Sequence, residues 1–322
     1  MTIPTFQDVL LAAARIRPYL SRTPLNSYPA INELVGTQVF IKHENHQPVC
    51  AFKVRGGINL VSQLSEEEKA RGVIAVSTGN HGQSVAYAAR LFGVSVRIVV
   101  PENANAGKVA SMRGLGAEVI FHGAKFDDAR LYCEKLAEEN GYRYIHSGDE
   151  PLLIAGVATE ALEMLEDQPD LDCIIVPVGG GSGCAGVCIA AKTINPKIRV
   201  IGVQSESAPA AYDSWVMKEC VERPNHTFAE GLATAIGFSM PQKILWELLD
   251  DFVLVSDEEI MLSMYCMIER AHTLAEGAGA SPLAAAYKMR QELEGKKTGI
   301  VCSGGNTSIE HLKQALNQSK SR

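Results

Sequence analysis

Three short stretches of this chain carry side chains suited to chemistry, and each suits a different task. Ala51-Phe52-Lys53-Val54-Arg55-Gly56-Gly57 sets a lysine between two apolar residues, with an arginine two residues on. Apolar burial and a nearby positive charge both favour the unprotonated amine, the form that condenses with an aldehyde. Gly179-Gly180-Gly181-Ser182-Gly183 follows the apolar run Ile174-Ile175-Val176-Pro177-Val178 and precedes a helical pattern. Amides without side chains can close on a phosphate there, and the helix N-terminus adds a favourable dipole. Ser303-Gly304-Gly305-Asn306 presents a hydroxyl just after Gly299-Ile300-Val301-Cys302. An amine for an aldehyde, a cradle for a phosphate and a hydroxyl for a ring nitrogen are the contacts that pyridoxal 5'-phosphate needs. Each stretch also has a plainer reading when taken alone: a surface lysine, a tight turn or dinucleotide loop, and a Ser-Gly-Gly turn. The dinucleotide reading lacks the Gly-x-Gly-x-x-Gly spacing and a helix-plus-acid pattern about 20 residues on.

A fourth block, Ser77-Thr78-Gly79-Asn80-His81-Gly82, lies between a strand pattern and a helix pattern, where an anion can be held. Together the four blocks resemble the fold-type II pyridoxal-phosphate enzymes, and among them the threonine/serine dehydratase and serine racemase group. The resemblance runs nearly from end to end. It implies an α/β fold of the tryptophan synthase beta-like kind, with two parallel-sheet α/β domains and the cofactor between them. The small domain is placed at 47–146, inserted into a large domain made of 1–46 and 147–322.

The resemblance also implies roles for particular residues. Lys53 is the catalytic, cofactor-attaching lysine, flanked by Phe52. Gly179, Gly180, Gly181, Ser182 and Gly183 hold the phosphate, with Ser182 in place of a fourth glycine. Asn80 meets the cofactor's 3′-oxygen, while Ser77, Thr78, Gly79 and His81 take the substrate's carboxylate side. Ser303 meets the pyridine nitrogen. Gly231, in Thr227-Phe228-Ala229-Glu230-Gly231-Leu232, faces the ring, and Glu276 stands for the acid of a Glu-Pro-x-Gly stretch near the site, with Gly277 replacing proline. For His81 the residues themselves favour structural hydrogen bonding over proton transfer.

These loops need a frame, and β-branched runs alternating with helical patterns supply it. Val73–Ser77, Val96–Val100, Glu118–Phe121, Cys173–Pro177 and Val200–Val203 read as strands. Helical patterns fall at 83–90, 127–139 and 185–194. Such alternation predicts right-handed βαβ units and parallel sheets, with ligands at the carboxyl ends of strands.

The bulk numbers narrow the class. With 322 residues, 46% hydrophobic and 21% charged, this is ordinary globular composition of a size that suggests two domains. A net charge of −7 argues against nucleic-acid or anionic-membrane partners. There is no long apolar run to span a bilayer and no basic, apolar leader in Met1-Thr2-Ile3-Pro4-Thr5, so a cytoplasmic enzyme is expected. The eight cysteines form no Cys-x-x-Cys pair and most sit in apolar runs, which predicts buried thiols without disulfides or zinc. A homodimer follows from the resemblance. So does the expectation that the chain, ending soon after Ser303, has no C-terminal regulatory domain.

Departures from the family pattern sharpen the expected activity. Cys50 and Ala51 stand for a Gly-Ser pair, and Thr78 for the serine that serves racemases as an acid/base. Glutamate and aspartate ligands of a cation site correspond to Gln204 and Ala210, so no metal is expected. Ser303 opposite a neutral ring nitrogen makes a weak electron sink, which favours rapid β-elimination over transamination. The reading is a dehydratase-type ammonia-lyase acting on a small L-β-hydroxy amino acid of the threonine or serine kind. A racemase or β-replacement enzyme stays open, as does a catalytically silent cofactor-binding relative. Against replacement, cysteine synthases usually carry Ser-Val-Lys-Asp-Arg where Ala51–Arg55 stands.

Overall fold

A computed structural model describes residues 2–318 of the chain. Ten strands build two sheets. They are β1 (Leu25–Ser27), β2 (Gln38–His43), β3 (Val73–Val76), β4 (Val96–Val100), β5 (Glu118–Phe121), β6 (Arg143–Tyr144), β7 (Cys173–Pro177), β8 (Arg199–Ser205), β9 (Asp251–Val255) and β10 (Lys297–Cys302). The six-stranded sheet runs β1-β2-β10-β7-β8-β9 and the four-stranded sheet β5-β4-β3-β6. Every pairing is parallel except β1 with β2.

Parallel strands covered on both faces must be apolar on both, and these are. Ile175, Ile201, Val203 and Ile300 enter one core, with helices Asp257–Ala271 and Gly277–Lys288. Their neighbours Ile174, Val176, Val200 and Val301 point the other way into a second core, with helix Ser182–Ile194. The small sheet divides in the same manner, Ala75 and Ile98 to one side, Ile74 and Val99 to the other. Alternation along each strand places successive side chains in different cores.

The strands of the small sheet all fall between 73 and 144. One core beneath that sheet nevertheless draws on segments before and after it in the chain. Ala12 and Ile16 pack there with Val54, Ile58, Leu153 and Val157. Helix Lys53–Val61 therefore sits on a shared floor. Gly56 permits this: a Cβ there would lie 2.8 Å from the Leu153 carbonyl oxygen.

The frame delivers three loops to strand carboxyl ends. Ser77 follows β3, Gly179 lies just beyond β7, and Ser303 follows β10, which pairs with β7. The seven described cysteines other than Cys50 are buried or half-buried, and all eight are free thiols. Among the described residues no helix is long and apolar enough to cross a membrane.

Candidate functional site

Lys53 is the first residue of its helix, and the segment before it is stitched to the Ser303 loop. The Phe52 amide donates to the Ser303 carbonyl at 2.9 Å, and the Gly305 amide donates to the Cys50 carbonyl at 2.9 Å. Cys50 adopts φ +52°, a left-handed conformation that favours glycine. Glycine is the residue that the family pattern has at that place, so the turn survives here with a strained cysteine.

The Lys53 amine donates to the Ser147 carbonyl at 2.8 Å and to the Ser182 hydroxyl at 2.7 Å. Its Nζ lies 5.3 Å from the centre of the Phe52 ring. Burial pulls its pKa down to about 8, against an opposing pull from Glu160. The lysine thus reaches its free-base form near neutral pH, as an attaching amine or general base requires.

Ser182 opens helix Ser182–Ile194 behind Gly181, and no side chain caps that end. Its first-turn amides are left for another acceptor. Gly181 has φ +88°, and a Cβ on Gly179 would lie 2.1 Å from the Gly231 carbonyl oxygen. Side chains are thereby kept out of the loop, and Gly231 packs against it. Gly180 and Gly183 complete the run under the rings of Phe238 and Phe52.

Helix Asn80–Leu91 begins behind Gly79, which has no side chain of its own to cap it. Ser77 folds its loop by accepting from the Gly79 amide at 3.1 Å and the Gly82 amide at 2.9 Å. Asn80 donates to Glu276 at 2.6 Å and accepts from Asn306 at 2.8 Å. Glu276 also packs against the Ser303 loop, since a Cβ on Gly304 would lie 2.6 Å from its Oε1. Burial raises the Glu276 carboxyl above the usual range, opposed by Lys108 and the Asn80 amide. Thr78 is half-buried. His81 donates from Nε2 to the Ile145 carbonyl at 3.0 Å, which leaves Nδ1 buried without a partner. Burial, and then Lys53, push its pKa down to about 3, so the ring is neutral. Ser303 is buried.

One connected set of contacts therefore joins Phe52, Lys53, Asn80, Gly179–Gly183, Gly231, Glu276 and Ser303. Thr78 and Gly79 lie at its edge, and the His81 ring is committed elsewhere. These residues fit a phosphorylated pyridine aldehyde: an amine with a lowered pKa, a helix end emptied of side chains, and the buried Ser303 hydroxyl. Sequence reasoning missed Ser147, whose backbone carbonyl leaves no signal in residue type. It also missed Asn306, which was in plain view in the Ser-Gly-Gly-Asn block.

At the two positions matched to cation ligands, other contacts are in place. The Gln204 side-chain oxygen accepts from the amides of Ala211 and Tyr212 at 3.1 and 3.0 Å, and its nitrogen donates to the Leu232 carbonyl at 3.4 Å. Ala210 is buried at the start of helix Ala210–Met217. No group of three or more His, Cys, Asp or Glu suited to a metal ion occurs among the described residues.

Comparison with known proteins places the family. Residues 16–304 match the family described as pyridoxal-phosphate dependent enzyme. L-threonine ammonia-lyase of Thermotoga maritima is 37% identical over 316 residues, covering 98% of this chain and 78% of that protein. Catabolic L-threonine dehydratase of Staphylococcus aureus is 40% identical over 316 residues, covering 96% and 91%. Maize serine racemase superposes with a TM-score of 0.93 at 34% identity, covering 99% of both chains. The chain belongs to the pyridoxal-phosphate-dependent enzymes, and pyridoxal phosphate is its cofactor.

Proposed function

We propose that this enzyme is an ammonia-lyase that converts a small L-β-hydroxy amino acid, of the threonine or serine kind, to a 2-oxo acid and ammonia. The observation that carries the reading is a buried Lys53 amine, its pKa lowered to about 8, stitched through Phe52 to the loop of Ser303, whose hydroxyl would meet the ring nitrogen. The names of the threonine ammonia-lyase and dehydratase relatives support it. When bound, pyridoxal phosphate supplies the electron sink that makes an amino acid's Cα proton removable. Lys53 Nζ takes that proton, held toward the phosphate cradle by Ser182 and the Ser147 carbonyl. The amides of Gly179–Gly183 would hold the phosphate, Asn80 would meet the ring's oxygen, and the loop of Ser77, Thr78, Gly79 and His81 would receive the substrate's carboxylate end. In this loop His81 acts as a neutral strut. Gly231 and Glu276 back the ring.

The same reading includes the division into 1–46 with 147–322 and 47–146, supported by the two separate sheets. Met1 and residues 319–322, which the division takes in, lie outside the described residues. It also includes a cytoplasmic homodimer that works on a free amino acid, without nucleic acid or membrane.

Screening threonine, serine, 3-hydroxyaspartate and bulkier β-hydroxy amino acids should find at least one that releases 2-oxo acid and ammonia in equal amounts. With Gln204 and Ala210 at the cation positions, exhaustive chelation should change that rate by less than about tenfold. Failure of every substrate, with the cofactor bound, would favour the silent relative.

Ser303 decides the reaction type. Ser303→Asp should protonate the ring nitrogen, so Cα proton exchange or transamination should gain on elimination. Ser303→Ala removes one hydrogen bond and should weaken cofactor retention by about 0.5–1.5 kcal/mol without changing reaction type. The ratio of 2-oxo acid formed to deuterium incorporated at Cα in heavy water reads both variants. An unchanged ratio in Ser303→Asp, with the aspartate against the nitrogen, would transfer the control to Thr78 and its loop.

A further inference from the structure

Lys108, on helix Ala106–Gly114, reaches out of the small sheet's layer and pairs with Glu230, in the short 3₁₀ turn Glu230–Leu232. The two ends of this pair are unlike. The Lys108 side chain is 14% exposed and that of Glu230 is 48% exposed. Lys108 Nζ also lies 3.9 Å from where a Cβ on Gly79 would stand. The same cation acts on the buried Glu276 carboxyl, and Lys108, Glu230, Glu276 and Asn306 line one cleft.

We propose that Lys108 is the cationic partner of the substrate's carboxylate, and that Glu230 occupies it until the substrate arrives. The inference rests on the functional reading above, which puts an amino-acid carboxylate at the loop of residues 77–81. The first amides of helix Asn80–Leu91 that Ser77 does not take offer hydrogen bonds to that carboxylate but no full charge. Lys108 supplies the charge from the adjoining helix. Exchange is easy because Glu230 is half in water: one carboxylate leaves for solvent as another takes its place, and the more buried lysine stays paired throughout. Glu230 is then a competitor of the substrate, which gives the two residues opposite effects.

The test is binding to the holoenzyme of 2-methylserine, which lacks a Cα proton and so cannot enter elimination through that proton. The dissociation constant is read from the shift of the cofactor absorption band. Lys108→Met should weaken binding by at least about tenfold, the size of one lost charge-assisted hydrogen bond. Lys108→Arg should restore most of it, and Glu230→Gln should tighten binding by about threefold or more. Serinol, the amino alcohol without a carboxylate, should bind all four proteins alike. If Lys108→Met and Glu230→Gln both weaken binding, or serinol follows the same trend, the pair is only a strut between the two layers and the proposal falls. A wild-type enzyme that binds 2-methylserine with these variant effects, yet releases no 2-oxo acid from any hydroxy amino acid, would sink the lyase reading and leave the carboxylate partner standing.

Discussion

Lys53→Ala is expected to lower turnover by about 10³-fold or more, since it removes at once the attachment point and the group that takes the Cα proton. Borohydride reduction of the wild-type holoenzyme should leave a stable cofactor label on Lys53, and the variant should take up none. A variant that is still labelled would show that another lysine attaches the cofactor. The pH dependence follows from burial. With its pKa lowered to about 8, the amine is largely protonated at pH 6 and largely free at pH 9. Only the free amine attacks an aldehyde, so cofactor uptake by the apo-protein should rise with pH through a midpoint near 8. A midpoint near the ordinary lysine value would mean that the Lys53 pocket is wetter than the structure has it.

The elements that carry loops were legible because their residue patterns are local. Val73–Val76, Val96–Val100 and Cys173–Pro177 are β-branched or apolar runs that stop at a serine, proline or glycine, and each appears as a strand with almost those bounds. Helix Lys53–Val61 was not legible, because Gly56 and Gly57 are poor helix formers. Its helical state comes from tertiary packing, with the backbone pressed against Leu153 and Ser84. The short strands β1 and β6, of three and two residues, carry too little pattern to read. At the site, residue types were readable but pairings were not. Ser182 was expected at a phosphate, and its hydroxyl also holds the Lys53 amine. Glu276 was expected near the site, and its partner Asn80 lies 196 positions away in the chain. Such pairings depend on how β10, β7 and β3 present their loops, which no local window contains.

Below the site lies a cluster that the mechanism does not use, and breaking it should have the largest effect on stability. Arg55, 1% exposed, is clamped from two sides. Its Nε and Nη2 each donate to Glu44 at 2.8 Å, and Nη1 and Nη2 each donate to Glu163 at 2.7 Å. Lys42, also buried, reaches Glu163 at 2.6 Å. Burial alone would raise the Glu44 carboxyl, but Arg55, with Lys42 and Thr23, outweighs it and lowers the group's pKa. Arg55→Met should therefore strand a buried carboxylate and lower the unfolding free energy by about 3–5 kcal/mol. Because Arg55 is two residues from Lys53, it should also loosen the start of that helix.

Glu160 in the same cluster should behave in the opposite way. It is fully buried, neither oxygen has a hydrogen-bond partner, and burial pushes its pKa well above the usual range. Above about pH 4.3 an unfolded glutamate has released its proton while the folded one still holds it. The folded state then binds more protons than the unfolded state, so this group's contribution to stability falls as pH rises. Glu160→Met should stabilise the protein by about 1–3 kcal/mol at neutral pH and flatten the decline of stability from acid toward neutral pH. Denaturant titration of wild type, Arg55→Met and Glu160→Met at pH 5 and pH 8 reads both effects. If both substitutions destabilise to the same extent at both pH values, the cluster acts by packing volume alone. If Arg55→Met is costly and Glu160→Met is a gain that grows with pH, the arginine is the keystone of the floor beneath Lys53 and Glu160 is a buried acid that folding keeps protonated.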